Sequence, residues 1–194
     1  MKTIILATNN AHKQKEFQEL LSGIKILTLK DVGFTGDVEE TGSTTKENAE
    51  IKAKAIFEFE KSKGLNYPVI SDDSGLFVNS LGGEPGVYSA RYGGDHNSQS
   101  NRDKVLKNLS KKADRSAYFE CTICYVDDKV TKFFVGKTYG TITRQELGDT
   151  SFGYDCIFLS DDLHKTFGQS TEEEKDSVSH RGRAVTELKK FLSK

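Results

Sequence analysis

The stretch Ile4-Ile5-Leu6-Ala7, followed by Thr8-Asn9-Asn10-Ala11-His12-Lys13 and then by Phe17, Leu20, Leu21 and Ile24, decides the fold class. Four apolar residues in a row read as a buried strand. The next apolar positions recur at i, i+3, i+4 and i+7, the face of an amphipathic helix. Strand, polar loop and helix in succession open an α/β arrangement.

Working outward, Thr44 and Glu47 form a capping-box pair that opens a long helix to about Lys63, which Gly64 ends. The chain then returns as a strand over 67–71, and a second helix is expected over 98–111. Segments 118–125 and 132–143 are rich in aromatic and β-branched residues around Asp127-Asp128-Lys129, which predicts a hairpin. A further strand is expected over 152–159. The closing helix gathers Ala184, Val185, Leu188, Phe191 and Leu192 on one side. The expected architecture is mixed α/β around a partly antiparallel sheet. No linker composition, repeat period or charge block marks a boundary, so 1–194 is expected to be a single domain.

Lys+Arg at 28 against Asp+Glu at 29 leaves a formal net charge of -1, which excludes a global cationic field for a nucleic acid polymer or an anionic membrane. The opening apolar run stops after four residues and no later run is longer, so neither a signal peptide nor a membrane span is expected. Cysteines number 3, an odd count that cannot form a disulfide framework and points to a reducing, cytoplasmic setting. Cys121 and Cys124 form a C-x-x-C, but odd spacing on a strand sends them to opposite faces, so both read as core residues. Gly136-Lys137-Thr138 resembles the end of a phosphate-binding loop, yet Thr131 stands where that loop needs its first glycine. No GxGxxG occurs, so a dinucleotide fingerprint is missing.

The chemistry concentrates elsewhere. Ile70-Ser71-Asp72-Asp73-Ser74-Gly75-Leu76 places adjacent carboxylates where an apolar strand is expected to end in a glycine turn. A second pair, Glu39-Glu40, precedes Thr41-Gly42. Hard oxygen ligands from two loops suit Mg²⁺, which takes a few carboxylates plus water and phosphate oxygens. Cations stand where helix electrostatics disfavour them: Lys13 in a first turn, and His180 and Arg181 just after Ser179, the expected N-cap of the last helix. Lys52 shares a helix face with Ala49, Ala53 and Ile56 and is expected on or beside the buried side, with snorkelling to solvent as the alternative. With Lys175 these cations form a set that, beside the acidic groups, suits a nucleoside triphosphate carried with Mg²⁺.

Seven strings, in order and spacing, carry a resemblance: Ala7-Thr8-Asn9-Asn10-Ala11-His12-Lys13, Glu39-Glu40-Thr41-Gly42, Glu47-Asn48-Ala49, Ser71-Asp72-Asp73-Ser74-Gly75-Leu76, Gly83-Glu84-Pro85-Gly86-Val87-Tyr88-Ser89-Ala90-Arg91-Tyr92, Phe152-Gly153-Tyr154-Asp155 and Ser179-His180-Arg181-Gly182. Over nearly the whole chain they resemble the inosine triphosphate pyrophosphatase (Ham1-like, XTP/dITP diphosphatase) family. The resemblance implies an elongated, curved mixed β-sheet flanked by helices, with two lobes and a nucleotide cleft between them. It implies a Mg²⁺-dependent homodimer that hydrolyses ITP, dITP and XTP to the monophosphate and pyrophosphate.

Carried over string by string, it implies that Thr8, Asn9, Asn10, Ala11, His12 and Lys13 hold phosphates, with Lys52 and Ser74 assisting. Asp73 would be the proton acceptor and a metal ligand. Glu39 would be the other metal ligand, with Glu40 and Asp72 as possible ones. Phe152, Gly153, Tyr154, Asp155, Lys175, His180 and Arg181 would bind substrate, chiefly near the base. The family pattern has glycine before Phe-Gly-Tyr-Asp and proline after it, where this chain has Ser151 and Cys156. Two alternatives remain at this stage. One is a Maf-like nucleotide pyrophosphatase of other specificity, against which the 152–155 and 180–181 strings argue. The other is a nucleotide-binding regulatory protein that does not hydrolyse.

Overall fold

Seven strands and five α-helices follow one another in the computed structural model, which describes residues 2–194. The chain runs β1 (Thr3–Leu6), α1 (Ala11–Leu20), β2 (Lys25–Thr28), α2 (Thr45–Ser62), β3 (Val69–Val78) and β4 (Pro85–Gly86). It continues through α3 (Ser98–Asn108), β5 (Ser116–Val126), β6 (Thr131–Ile142), β7 (Phe158–Ser160), α4 (Glu172–Val178) and α5 (His180–Leu192). The sheet order is β2-β1-β3-β5-β6-β7, with β4 paired to β3. β1 runs parallel to β2 and β3, whereas β4 is antiparallel to β3 and β7 to β6, so the sheet is mixed as expected.

The chain divides into two compact units. One gathers the chain up to Asp73 with Thr122–Val135 and Ala184–Lys194; the other takes Ser74–Cys121 and Gly136–Arg183. The first packs Ile5, Ala7, Leu29 and Val32 against the Ala49, Ala53, Ile56 and Phe57 face of α2. The second packs Leu76, Val78, Val105, Leu109, Phe119, Phe158 and Phe167. Cys121 and Cys124 are buried thiols, which matches their reading as core residues, and the Cys156 thiol is buried as well. Among the described residues no helix is long and apolar enough to cross a membrane.

Local signals explain most boundaries. The Asn10 side chain accepts from the His12 and Lys13 amides and starts α1. Thr44 Oγ1 accepts from the Glu47 amide at 3.1 Å, but the Glu47 carboxylate reaches back to Ser43, bonding its amide at 2.6 Å and its hydroxyl at 2.9 Å. The box is thus displaced by one residue. Asp127 accepts from the Lys129 and Val130 amides and shapes the β5–β6 turn. On α5, Ala184, Val185, Leu188 and Leu192 are buried, and Phe191 meets Tyr125 and Phe134 at ring distances of 5.2 and 5.5 Å.

Three expectations are corrected. Helix α3 ends at Asn108 with Leu109 as its C-cap, short of 111. The strand expected over 152–159 shrinks to Phe158–Ser160, because Gly153 adopts φ 49° and Asp155–Ile157 form a 3₁₀ turn. Most consequentially, the strand expected over 67–71 starts later and does not stop at the acidic pair. β3 runs through Asp72, Asp73, Ser74 and Gly75 to Val78. Gly75 is there for close approach and makes no turn, since a Cβ on it would overlap the carbonyl of Gly86 on β4. Gly75→Ala should therefore destabilise the chain by about 1–3 kcal/mol, read as a lower urea midpoint with an unchanged slope.

Candidate active site

Continuity of β3 sets the chemistry of its acidic pair. Successive side chains of a strand point to opposite faces, so Asp72 and Asp73 are separated and each acquires its own lysine. Lys13, from the first turn of α1, places its Nζ 3.0 Å from Asp72 Oδ2, whose side chain is fully buried. The cation that breaks the helix-end rule is therefore answered by an anion within the chain.

Lys52, from the middle of α2, donates to the Asp72 carbonyl at 2.7 Å, pairs with Glu40 at 2.8 Å and lies 3.8 Å from Asp73 Oδ1. Burial pushes the Lys52 amine down, but Asp72, Asp73 and Glu40 together outweigh it, so the amine sits above its ordinary value. Lys52 does not snorkel into open solvent; it is held among carboxylates. Asp73 shows the opposite balance. Burial raises it to about 6, against the pull of Lys52 and Lys13 and with help from the like charges of Glu40 and Asp72.

Asn48 belongs to the same cluster and carried no role in the sequence reading. Its Oδ1 accepts from the Gly42 amide at 2.8 Å, which turns its Nδ2 toward Asp73 Oδ2 at 3.3 Å. The signal was an asparagine next to Ala49 on the small, apolar side of α2, where it is fully buried. Of the two glutamates, Glu40 is half-buried and paired with Lys52, whereas Glu39 is exposed. In the phosphate-loop candidate, Thr8 Oγ1 accepts from the Asn10 amide at 3.2 Å and Gln14 donates to the Thr8 carbonyl at 2.9 Å. Asn9 is exposed and donates to the Gly36 carbonyl and to Asp37. Ala11 is exposed at the start of α1, and His12 lies 3.6 Å from Glu16.

The remaining candidates lie in the second unit. Arg181 is buried, and its Nη2 lies 3.4 Å from Ser74 Oγ. His180 stacks on Phe119 with ring centroids 4.8 Å apart. Ser179 Oγ accepts from the Gly182 amide at 3.0 Å, the capping contact expected of it. Lys175 is paired with Asp155 at 2.6 Å and lies 5.0 Å above the Phe152 ring. Tyr154 is buried, with its hydroxyl donating to the Ser89 carbonyl at 2.6 Å.

The first unit's cluster is a test of whether a divalent cation fits. Lys13 and Lys52 supply two positive charges, while Glu40, Asp72 and Asp73 supply three negative ones when ionised. Burial raises Asp73 despite both lysines. Among the described residues no group of three or more His, Cys, Asp or Glu side chains converges to hold a metal ion. Mg²⁺ fits such a set, because it binds through one or two carboxylates and takes its other ligands from water and phosphate.

A mixed α/β protein with half-buried lysines paired to carboxylates, a set suited to a polyphosphate and a hard cation, is thereby defined. The Ham1 family model matches residues 4–191, and the chain belongs to the Ham1 family. It is 46% identical to the dITP/XTP pyrophosphatase of Clostridium perfringens, covering 99% of this chain and 98% of that one. It is 43% identical to the dITP/XTP pyrophosphatase of Bacillus subtilis, with the same coverage of 99% and 98%. The solved structure of the Staphylococcus aureus Ham1 protein superposes with a TM-score of 0.88 at 41% identity, covering 99% of this chain and 98% of that one.

Asp73 also makes stability depend on pH with a defined sign. Between its unperturbed value of 3.8 and about 6 the folded chain keeps a proton that the unfolded chain has released. Stability therefore falls as pH rises through that window, and the loss persists above it. In EDTA, Asp73→Asn should raise the Tm at pH 8 by about 5 °C and leave it near the parent value at pH 4, as followed by circular dichroism.

Proposed function

We propose that this chain hydrolyses dITP, ITP and XTP to the nucleoside monophosphate and pyrophosphate, removing non-standard purines from the nucleotide pool. The observation that carries this is the cluster around Lys52, where Lys13 and Lys52 stand among Glu40, Asp72 and Asp73: cations suited to phosphate lie beside carboxylates suited to a divalent cation. The names of the relatives and the seven strings support the same substrate class. Residues 1–194 are read as a single nucleoside-triphosphate pyrophosphatase domain.

In this mechanism Asp73 accepts the proton of the attacking water, which its value of about 6 allows near neutral pH. Asn48 orients the Asp73 carboxylate, and Lys52 keeps it charged when ionised. Lys13 and Lys52 offset charge on the phosphates, with Thr8, Asn9, Asn10, Ala11, His12 and Ser74 as further contacts. Asp73 and Glu39 would hold Mg²⁺, with Glu40, which is paired with Lys52, and Asp72 as possible further ligands. Bound there, Mg²⁺ would neutralise developing charge on the phosphate oxygens.

Base recognition is assigned to Phe152, Gly153, Tyr154, Asp155, Lys175, His180 and Arg181. Inosine and xanthosine present an oxygen at the purine 6-position where adenosine presents an amino group, so a donor such as Arg181 favours the first two. A cytoplasmic setting suits three free, buried cysteines, and a homodimer is the expected assembly, to be checked by sedimentation velocity.

Purified protein with ITP should release IMP and pyrophosphate only when Mg²⁺ is present, and Asp73→Asn should lower turnover by about 100-fold or more while keeping the fold. Recovery of IDP and inorganic phosphate would place the cleaved bond elsewhere. Arg181→Ala should reduce kcat/KM for ITP at least ~10-fold more than for ATP. Equal losses would make Arg181 a phosphate ligand.

A further inference from the structure

The 152–155 segment has little structure of its own. It sits outside the sheet, and Gly153 takes φ 49°, a conformation that favours glycine. What orders it comes from elsewhere in the second unit. The Tyr154 hydroxyl is tied to the Ser89 carbonyl, Asp155 to Lys175 on α4, and the Cys156 carbonyl to the Leu147 amide at 2.8 Å. Ser89 is itself fixed, since its Oγ donates to the Gly86 carbonyl at 2.6 Å and accepts from the Leu76 amide at 2.9 Å.

The fourth tie is the most expensive in desolvation. Arg102 on α3 has a side chain only 2% exposed, yet it is a full guanidinium. Its Nε donates to Glu146 at 2.7 Å, its Nη2 to Gln99 Oε1 at 2.9 Å and its Nη1 to the Gly153 carbonyl at 2.7 Å. Gln99 closes the triangle by donating to the same Glu146 oxygen at 2.8 Å. Burying a guanidinium is tolerated only when its charge is paired and its donors are satisfied. Glu146 and Gln99 meet that need along one edge, and the opposite edge is spent on one backbone carbonyl, that of the residue next to Phe152.

We propose that Arg102 is a positioning residue for substrate selection: anchored on Glu146 and Gln99, it fixes the Gly153 carbonyl and with it the pose of Phe152. This rests on the reading above that 152–155 is the base-side segment. Arg102 then governs how the base is held and has no part in the proton transfer at Asp73. Its signature is a change in KM and in base preference, with kcat and its pH profile left alone.

The test uses Arg102→Met, which keeps volume and removes all three donors, and Glu146→Gln, which weakens the anchor and leaves the guanidinium in place. Arg102→Met should raise KM for ITP about tenfold, keep kcat within about twofold and lower the ITP-to-ATP preference, with an unchanged pH profile. Amide exchange over 153–155 should quicken at least ~10-fold while β5 and α5 keep their protection. Glu146→Gln should move the same readouts in the same direction by less, and it decides the matter if Arg102→Met does not fold. A folded variant with parental KM, preference and exchange overturns the proposal, as does one that loses kcat with KM unchanged. If the parent chain releases no pyrophosphate from ITP, the pyrophosphatase reading has failed. The exchange arm still tests the strut, and unchanged exchange at 153–155 rejects it.

Discussion

Two lysines against three carboxylates is the constraint around which the first unit is built. Lys13 pairs with the fully buried Asp72 carboxylate, and Lys52 is shared among Glu40, Asp73 and the Asp72 carbonyl. Asp73 is the carboxylate that holds its charge at a cost, because its burial outweighs the pull of both lysines.

The arrangement depends on β3 being uninterrupted. A turn after Asp73 would have set the two carboxylates side by side, where mutual repulsion would have required open solvent. As a strand, the segment sends them to opposite faces and lets α1 and α2 each supply one lysine. Gly75 permits this by allowing the β4 backbone to come close. The charged cluster and the sheet packing therefore meet in a few consecutive residues, and the identity of each is limited by both.

How much of this could be read from the residues follows a physical pattern. Periodic features were legible: the Phe17 and Leu21 face of α1, the Ala49-to-Ile56 face of α2, the β5–β6 hairpin and the apolar side of α5. So were the anomalies: Lys13 at a helix start and Lys52 beside the buried face both pair with carboxylates of the cluster. Gly75 misled because a glycine after polar residues signals a turn unless a second backbone lies against it, and that neighbour, Gly86, is remote in sequence. The 152–159 stretch has strand-like composition, but Gly153 and long-range ties from Arg102 and Tyr154 override it. Glu40 and Glu39 differ only in which is held toward Lys52, a distinction made by the loop path and invisible in the string Glu-Glu-Thr-Gly.

The division of the chain has a consequence for its synthesis. The first unit takes its opening strands from the start of the chain and its closing helix from Ala184–Lys194. While those last residues are still inside the ribosome, Tyr125 and Phe134 lack the Phe191 ring that covers them. The second unit, ending at Arg183, has all its segments earlier. Maturation thus proceeds against the order of translation: the unit begun first is finished last, and its unfinished apolar surface is what a nascent-chain chaperone would meet.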